Sequence, residues 1–118
     1  MIPINTQLPI AVGFVDSRQG GRAENQDTCG YVDTPLGLLV VVCDGMGGGP
    51  SGKAASSTAT DVIIQTVRSG KLSDSPLTVL QQAIKMANQA LISEIQKKPA
   101  LRGMGTTVTA LLINEYSA

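Results

Sequence analysis

The chain has 118 residues, enough for one small domain and little more. Hydrophobic residues make up 42% of it but aromatics only 3%, so the core has to be aliphatic, with few rigid anchors for stacked bases or a protein partner. Nine basic residues balance nine acidic ones, which argues against nucleic acid or an anionic membrane as partner, and the absence of His excludes a Ser-His-Asp triad or a His-ligated zinc within the chain.

The opening residues, MIPINTQLPI, lack the basic start and long apolar run of a signal peptide, so a cytoplasmic location is expected. Leu8 to Val15 is apolar and β-prone and reads as a first strand. A polar, glycine-containing loop follows, SRQGGRAENQD, and then a second strand from Thr28 to Asp33. Thr34-Pro35-Leu36-Gly37 is a turn signal. The run LLVVVC, Leu38 to Cys43, fits a strand buried on both faces. It is far too short to span a bilayer. Cys29 and Cys43 are too few for a disulfide framework and read as reduced thiols in apolar strands.

After the glycine-rich loop DGMGGGPSG, a helix is expected from an N-cap at Ser51 to about Arg68. Ala55, Thr58, Ala59, Val62, Ile63 and Val67 keep helical spacing along it. Ser75 then caps a second helix with Pro76 at its first position. Its expected core stripe is Leu77, Leu80, Ile84, Ala87, Leu91 and Ile95, and Pro99 ends it. A last strand runs from about Thr106 to Asn114. Consecutive strands, paired helices and a further strand make an α+β layered fold and disfavour a doubly wound parallel sheet.

If Pro35 and Leu36 form a two-residue turn, Thr34 faces Gly37 and the pairing brings Asp27 opposite Asp44. Like charges directly opposite are destabilising, so two such carboxylates either share a proton or are bridged by a cation. A hard divalent ion with oxygen ligands is the better match, and two surface aspartates in separate loops are the bland alternative. Arg22, five residues before Asp27, is either a solvated loop arginine or a bidentate phosphate ligand. Gly47 to Ala54 nearly fits a phosphate-binding loop, but Ala54 stands where Ser or Thr must reach magnesium.

Four segments occur in order: R-A-E-N-Q-D at 22–27, V-V-V-C-D-G-M-G-G at 40–48, G-x-A-A-S at 52–56 and G-M-G-T-T-V at 103–108. Together they resemble the metal-dependent serine/threonine protein phosphatase family, also called protein phosphatase type 2C, over nearly the whole chain. The resemblance implies a β-sandwich flanked by antiparallel helix pairs, with a binuclear manganese or magnesium site at one end. It implies Arg22 as the phosphate-binding arginine, Asp27 and Asp44 as metal-ligating carboxylates, and Gly45 as a carbonyl donor to a metal. Two metals acidify a water and so supply a nucleophile without a protein base. The substrate would be phosphoserine or phosphothreonine in a phosphoprotein. Gly105, Thr106 and Thr107 match a strand start near the site and read as structural.

Gln26 stands where many relatives carry Glu, and Gly49 where a His is often found. The later aspartates that complete the family's metal site would lie beyond Ala118. Residues 1–118 are therefore expected to be a single partial domain, the N-terminal half of a catalytic domain, with little activity alone. Its open sheet edges are expected to favour self-association. Two other readings stay open: a nucleotide-binding fragment with a P-loop-like turn, and a non-catalytic module that keeps the phosphatase scaffold for protein contacts.

Overall fold

A computed structural model describes residues 2–5, 12–15, 27–47 and 49–114, with side chains for 27–47 and 51–114. The strands are β1 (Ile2–Asn5), β2 (Val12–Val15), β3 (Asp27–Thr34), β4 (Gly37–Met46), β5 (Gly105–Thr106) and β6 (Thr109–Ile113). Two helices, α1 (Gly49–Arg68) and α2 (Pro76–Lys97), lie between β4 and a short 3-10 turn at Pro99–Leu101. β1 and β2 pair antiparallel as a separate two-stranded sheet. The expected first strand thus includes β2, its Leu8–Ala11 part lies outside the described residues, and β1 was not foreseen.

The β3–β4 hairpin follows the expected register, from Thr34↔Gly37 to Asp27↔Asp44. Its turn is fastened by the Thr34 hydroxyl, which donates to the Gly37 carbonyl at 2.8 Å and accepts from the Leu36 amide at 3.1 Å. On its other side β4 pairs antiparallel with both β5 and β6. The partners Met46↔Gly105 and Leu38↔Ile113 belong to one register, so 105–113 is in effect the single last strand expected from the sequence. It is interrupted only at Thr107 and Val108.

Alternation along β4 divides the sheet into two unlike faces. Leu39, Val41 and Cys43 are fully buried and pack with Ala59, Ile63 and Val67 of α1. The other face carries Leu38, Val40, Val42 and Asp44, with Val42 43% exposed and its neighbour strand's Leu111 55% exposed. The expected burial of this strand on both faces holds for the helix-covered face and at Leu38, 5% exposed, and is corrected at Val42, which is open to solvent. Burial raises the pKa of the Cys43 thiol, against the opposing effect of the Thr60 and Thr106 hydroxyls.

α1 starts at Gly49 rather than after Ser51, so Ser51 lies inside the helix. It rests directly on β3 and β4, and α2 packs mainly on α1. Ala55 near the start of α1 meets Leu91 near the end of α2, so the helices run antiparallel. Ser75 caps α2 through the Thr78 amide, with Pro76 at its first turn, as expected. The expected stripe is met at Leu80, Ala87, Leu91 and Ile95, which are buried or packed against the core, and it is turned only slightly, toward Ala83. Ala83, Ala87 and Leu91 are buried, whereas Leu77 is 66% and Ile84 44% exposed. The cause is position: α2 packs mainly on α1, through small residues, and meets the sheet near its last strand, leaving Ile84 beside a groove lined by Thr106 and Val108.

This rotation has a measurable consequence. Ile63→Ala, at a fully buried site between sheet and helices, is expected to cost about 2–5 kcal/mol in urea denaturation. Ile84→Ala is expected to cost about 1 kcal/mol or less, because much of its side chain is already in water. Equal costs would mean that α2 is rotated back to the stripe read from the sequence.

Candidate metal centre

The site is built at the open end of the hairpin, where Asp27 begins β3 and Asp44 lies near the end of β4. The two are direct register partners, so their side chains leave the sheet on the same face, away from the helices. The kind of pairing follows from the hydrogen bonds of Asp44. Its carbonyl accepts from the Thr107 amide at 2.9 Å, and its amide donates to the Thr107 hydroxyl at 3.1 Å. Both main-chain groups of Asp44 therefore point toward the last strand. Asp27 and Asp44 form a non-hydrogen-bonded pair, the closer kind, with Cα atoms about 4.5 Å apart.

The same alternation turns the main-chain groups of Gly45 toward the β3 side, where Asp27 sits. Gly45 is buried, paired across from Thr106. The Thr106 hydroxyl also reaches Asp44, donating to its carbonyl at 3.2 Å and to the Thr107 carbonyl at 2.8 Å. The ladder is interrupted at Thr107 because the Asp44 amide donates to the Thr107 hydroxyl and not to its carbonyl. The G-M-G-T-T-V segment is thus a clamp on the backbone of Asp44. Beyond it, Gly47 has φ +125° and lies so close to Met104 that an added Cβ would sit 2.9 Å from the Met104 Cα. A side chain there would be both strained and obstructed, which gives one glycine of D-G-M-G-G its reason.

Asp27 is fastened from the opposite direction. The Lys53 ammonium donates to the Asp27 carbonyl at 2.7 Å and to the Thr28 hydroxyl at 3.3 Å. Thr28 in turn shares a hydrogen bond with Ser56 at 2.7 Å, and the fully buried Ser56 donates to the Lys53 carbonyl at 3.2 Å. None of Lys53, Thr28 and Ser56 stood out in the sequence as site residues. The available signal was the polar run facing inward from the first turns of α1, which a near P-loop pattern masked. In that alternative the lysine must reach phosphates above its own loop, whereas here it is committed to β3.

The structure thus brings Asp27, Asp44 and Gly45 together. Arg22 and Gln26 lie outside the described residues. Among the described residues no third His, Cys, Asp or Glu joins the pair. The donors present are all oxygen: two carboxylates and a main-chain carbonyl. They fit part of the coordination of a hard divalent ion, with water in its other positions. No helix among the described residues is long and apolar enough to cross a membrane.

The sequence profile of the family described as Protein phosphatase 2C matches residues 16–117. A putative protein phosphatase 2C-type from Streptococcus pyogenes is 36% identical over 100 residues, covering 82% of this chain and 40% of its own length. Among solved structures, the serine/threonine phosphatase Stp1 from Staphylococcus aureus superposes with a TM-score of 0.73 at 32% identity, over 86% of this chain and 41% of that one. The catalytic domain of the serine/threonine protein phosphatase PstP, solved with two manganese ions, superposes with a TM-score of 0.66 at 32% identity, over 79% of this chain and 38% of that one. PstP is a protein of Mycobacterium tuberculosis. The chain spans less than half the length of each of these relatives, and its antiparallel sheet with two helices matches part of their fold. On a profile match over most of its length and these likenesses, the chain belongs to the protein phosphatase 2C family of serine/threonine phosphatases.

Proposed function

We propose that the protein to which this segment contributes hydrolyses phosphoserine and phosphothreonine in phosphoproteins, with manganese or magnesium. The observation that carries the reading is the close cross-strand pair of Asp27 and Asp44, held in register by separate clamps at the end of a family hairpin. A divalent ion held there would supply neutralisation of phosphate charge and acidification of a water. Asp27 and Asp44 supply the carboxylates, and Gly45 supplies a carbonyl directed to the same side. Arg22, by its place in the R-A-E-N-Q-D segment, is assigned to the substrate phosphate.

Residues 1–118 make up a partial catalytic domain in this reading. Two adjacent cations need more negative charge than two carboxylates supply, because each cation repels the other. The isolated chain is therefore expected to bind one ion weakly and to turn over little. A phosphothreonine peptide incubated with the purified chain and manganese, with chelator as control, tests this. Robust manganese-dependent turnover that disappears in Asp44→Ala would show that these residues suffice. Binding of manganese by the wild type but not by Asp44→Ala would support the site without the activity. A non-catalytic scaffold predicts no manganese binding that depends on Asp44.

The open sheet supports a second part of the proposal, self-association of the isolated chain. Among the described residues β3 and β6 are the sheet's edges, and Val42 and Leu111 stand exposed on the uncovered face. Unpaired edges and exposed apolar faces recruit neighbours. Light scattering over a concentration series is expected to show oligomers, and a clean monomer at high concentration would argue against this.

A further inference from the structure

Lys53 is a cation built into the end of a site that the proposed function assigns to another cation. Its stem leaves α1 and its ammonium is spent on β3, at 2.7 Å from the Asp27 carbonyl. That carbonyl points away from β4, because Asp27 belongs to a non-hydrogen-bonded pair with Asp44. Among the described residues β3 pairs only with β4, and the Lys53 ammonium takes up this outward-facing carbonyl. A hydrogen bond to this outward-facing group ties the start of β3 to α1. The surrounding contacts show how the lysine can do so. Gly30 lets α1 come close: an added Cβ there would lie 2.9 Å from Ile64 Cδ1 and 3.3 Å from Thr60 Cγ2. Ser56, buried beneath, binds both the Thr28 hydroxyl and the Lys53 carbonyl.

The placement of charge also matters. The Lys53 ammonium touches the Thr28 hydroxyl, and Thr28 faces the helices. The carboxylates of Asp27 and Asp44 leave by the opposite face. The lysine therefore reaches the ligand strand through its backbone and from the helix side, whereas the carboxylates leave by the other face.

We propose that Lys53 is a positioning residue: it latches the start of β3 onto α1 through the Asp27 carbonyl and so holds the Asp27 carboxylate opposite Asp44 for metal binding. This rests on the metal-site reading above for its purpose but not for the latch itself. Partners of this outer kind change metal affinity about 10–100-fold when removed.

The test compares the full chain with Lys53→Met, which keeps the stem, and Lys53→Arg, which keeps a charged donor. In the metal-free state, Lys53→Met is expected to speed amide hydrogen exchange at Thr28 by about tenfold or more while leaving Val41 in the middle of β4 protected. Manganese titration is expected to show affinity weakened by about tenfold or more, with Lys53→Arg restoring most of it. Unchanged exchange at Thr28 would overturn the latch. Loss of protection throughout the sheet would overturn it too, showing a general support of the fold. Tighter manganese binding in Lys53→Met would overturn the positioning role, since the lysine would then act only as a repelling charge. A wild type that takes up no manganese would overturn the metal-site reading and with it the purpose assigned to Lys53, while the exchange comparison would still decide the latch.

Discussion

Two like charges set opposite each other at the end of a hairpin are the constraint around which the surrounding structure is arranged. A close cross-strand pair of carboxylates repels, and the cheapest relief available to a bare hairpin is to fray at that end. The chain prevents this from two directions. Thr106 and Thr107 take both main-chain groups of Asp44, and Lys53 with Thr28 and Ser56 takes the outer edge of Asp27. Each clamp comes from a different part of the sequence, one from the last strand and one from the first turns of α1. The pair is therefore held by tertiary contacts from both the helix layer and the last strand.

That dependence explains the distribution of small residues. α1 lies close enough to β3 for a lysine to reach over its edge because Gly30 has no side chain and Ser56 and Thr60 are short. α2 then packs on α1 through Ala83 and Ala87, which brings the helices together and turns the larger Ile84 outward. The aliphatic core named by composition is real, but its deepest layer is Leu39, Val41, Ile63 and Val67, between sheet and α1.

The hairpin and the site pair were legible because they depend on local rules. A two-residue turn at Pro35-Leu36 sets the register, and the register places Asp27 across from Asp44 without any knowledge of the helices. The cap at Ser75 and the stop before Pro99 are likewise local. On α2 the stripe is legible at Leu80, Ala87, Leu91 and Ile95 but not at its margins, because helical period gives a set of residues sharing a side, but not which edge of it meets a neighbour. Ala83 and Ile84 lie about 100° apart around the helix, and the approach of α1 decides between them. Lys53 was illegible for a related reason: a lysine near a glycine-rich turn has several possible acceptors, and the Asp27 carbonyl becomes one only after β3 and α1 are docked.

The open face of the sheet follows from the same alternation that builds the site. Every residue on β4 that shares a side with Asp44 must point away from the helices, so the apolar Leu38, Val40 and Val42 lie on that face with the carboxylates at its end. A strand with apolar residues on both sides calls for a second layer there. In relatives that are more than twice as long as the matched segment, there is enough further chain to supply one. A layer laid over Val42 and Leu111 would pass beside Asp27 and Asp44, and would carry any added ligands to the place where two carboxylates are already in register. Covering the apolar face and bringing further groups beside Asp27 and Asp44 would then be one structural event.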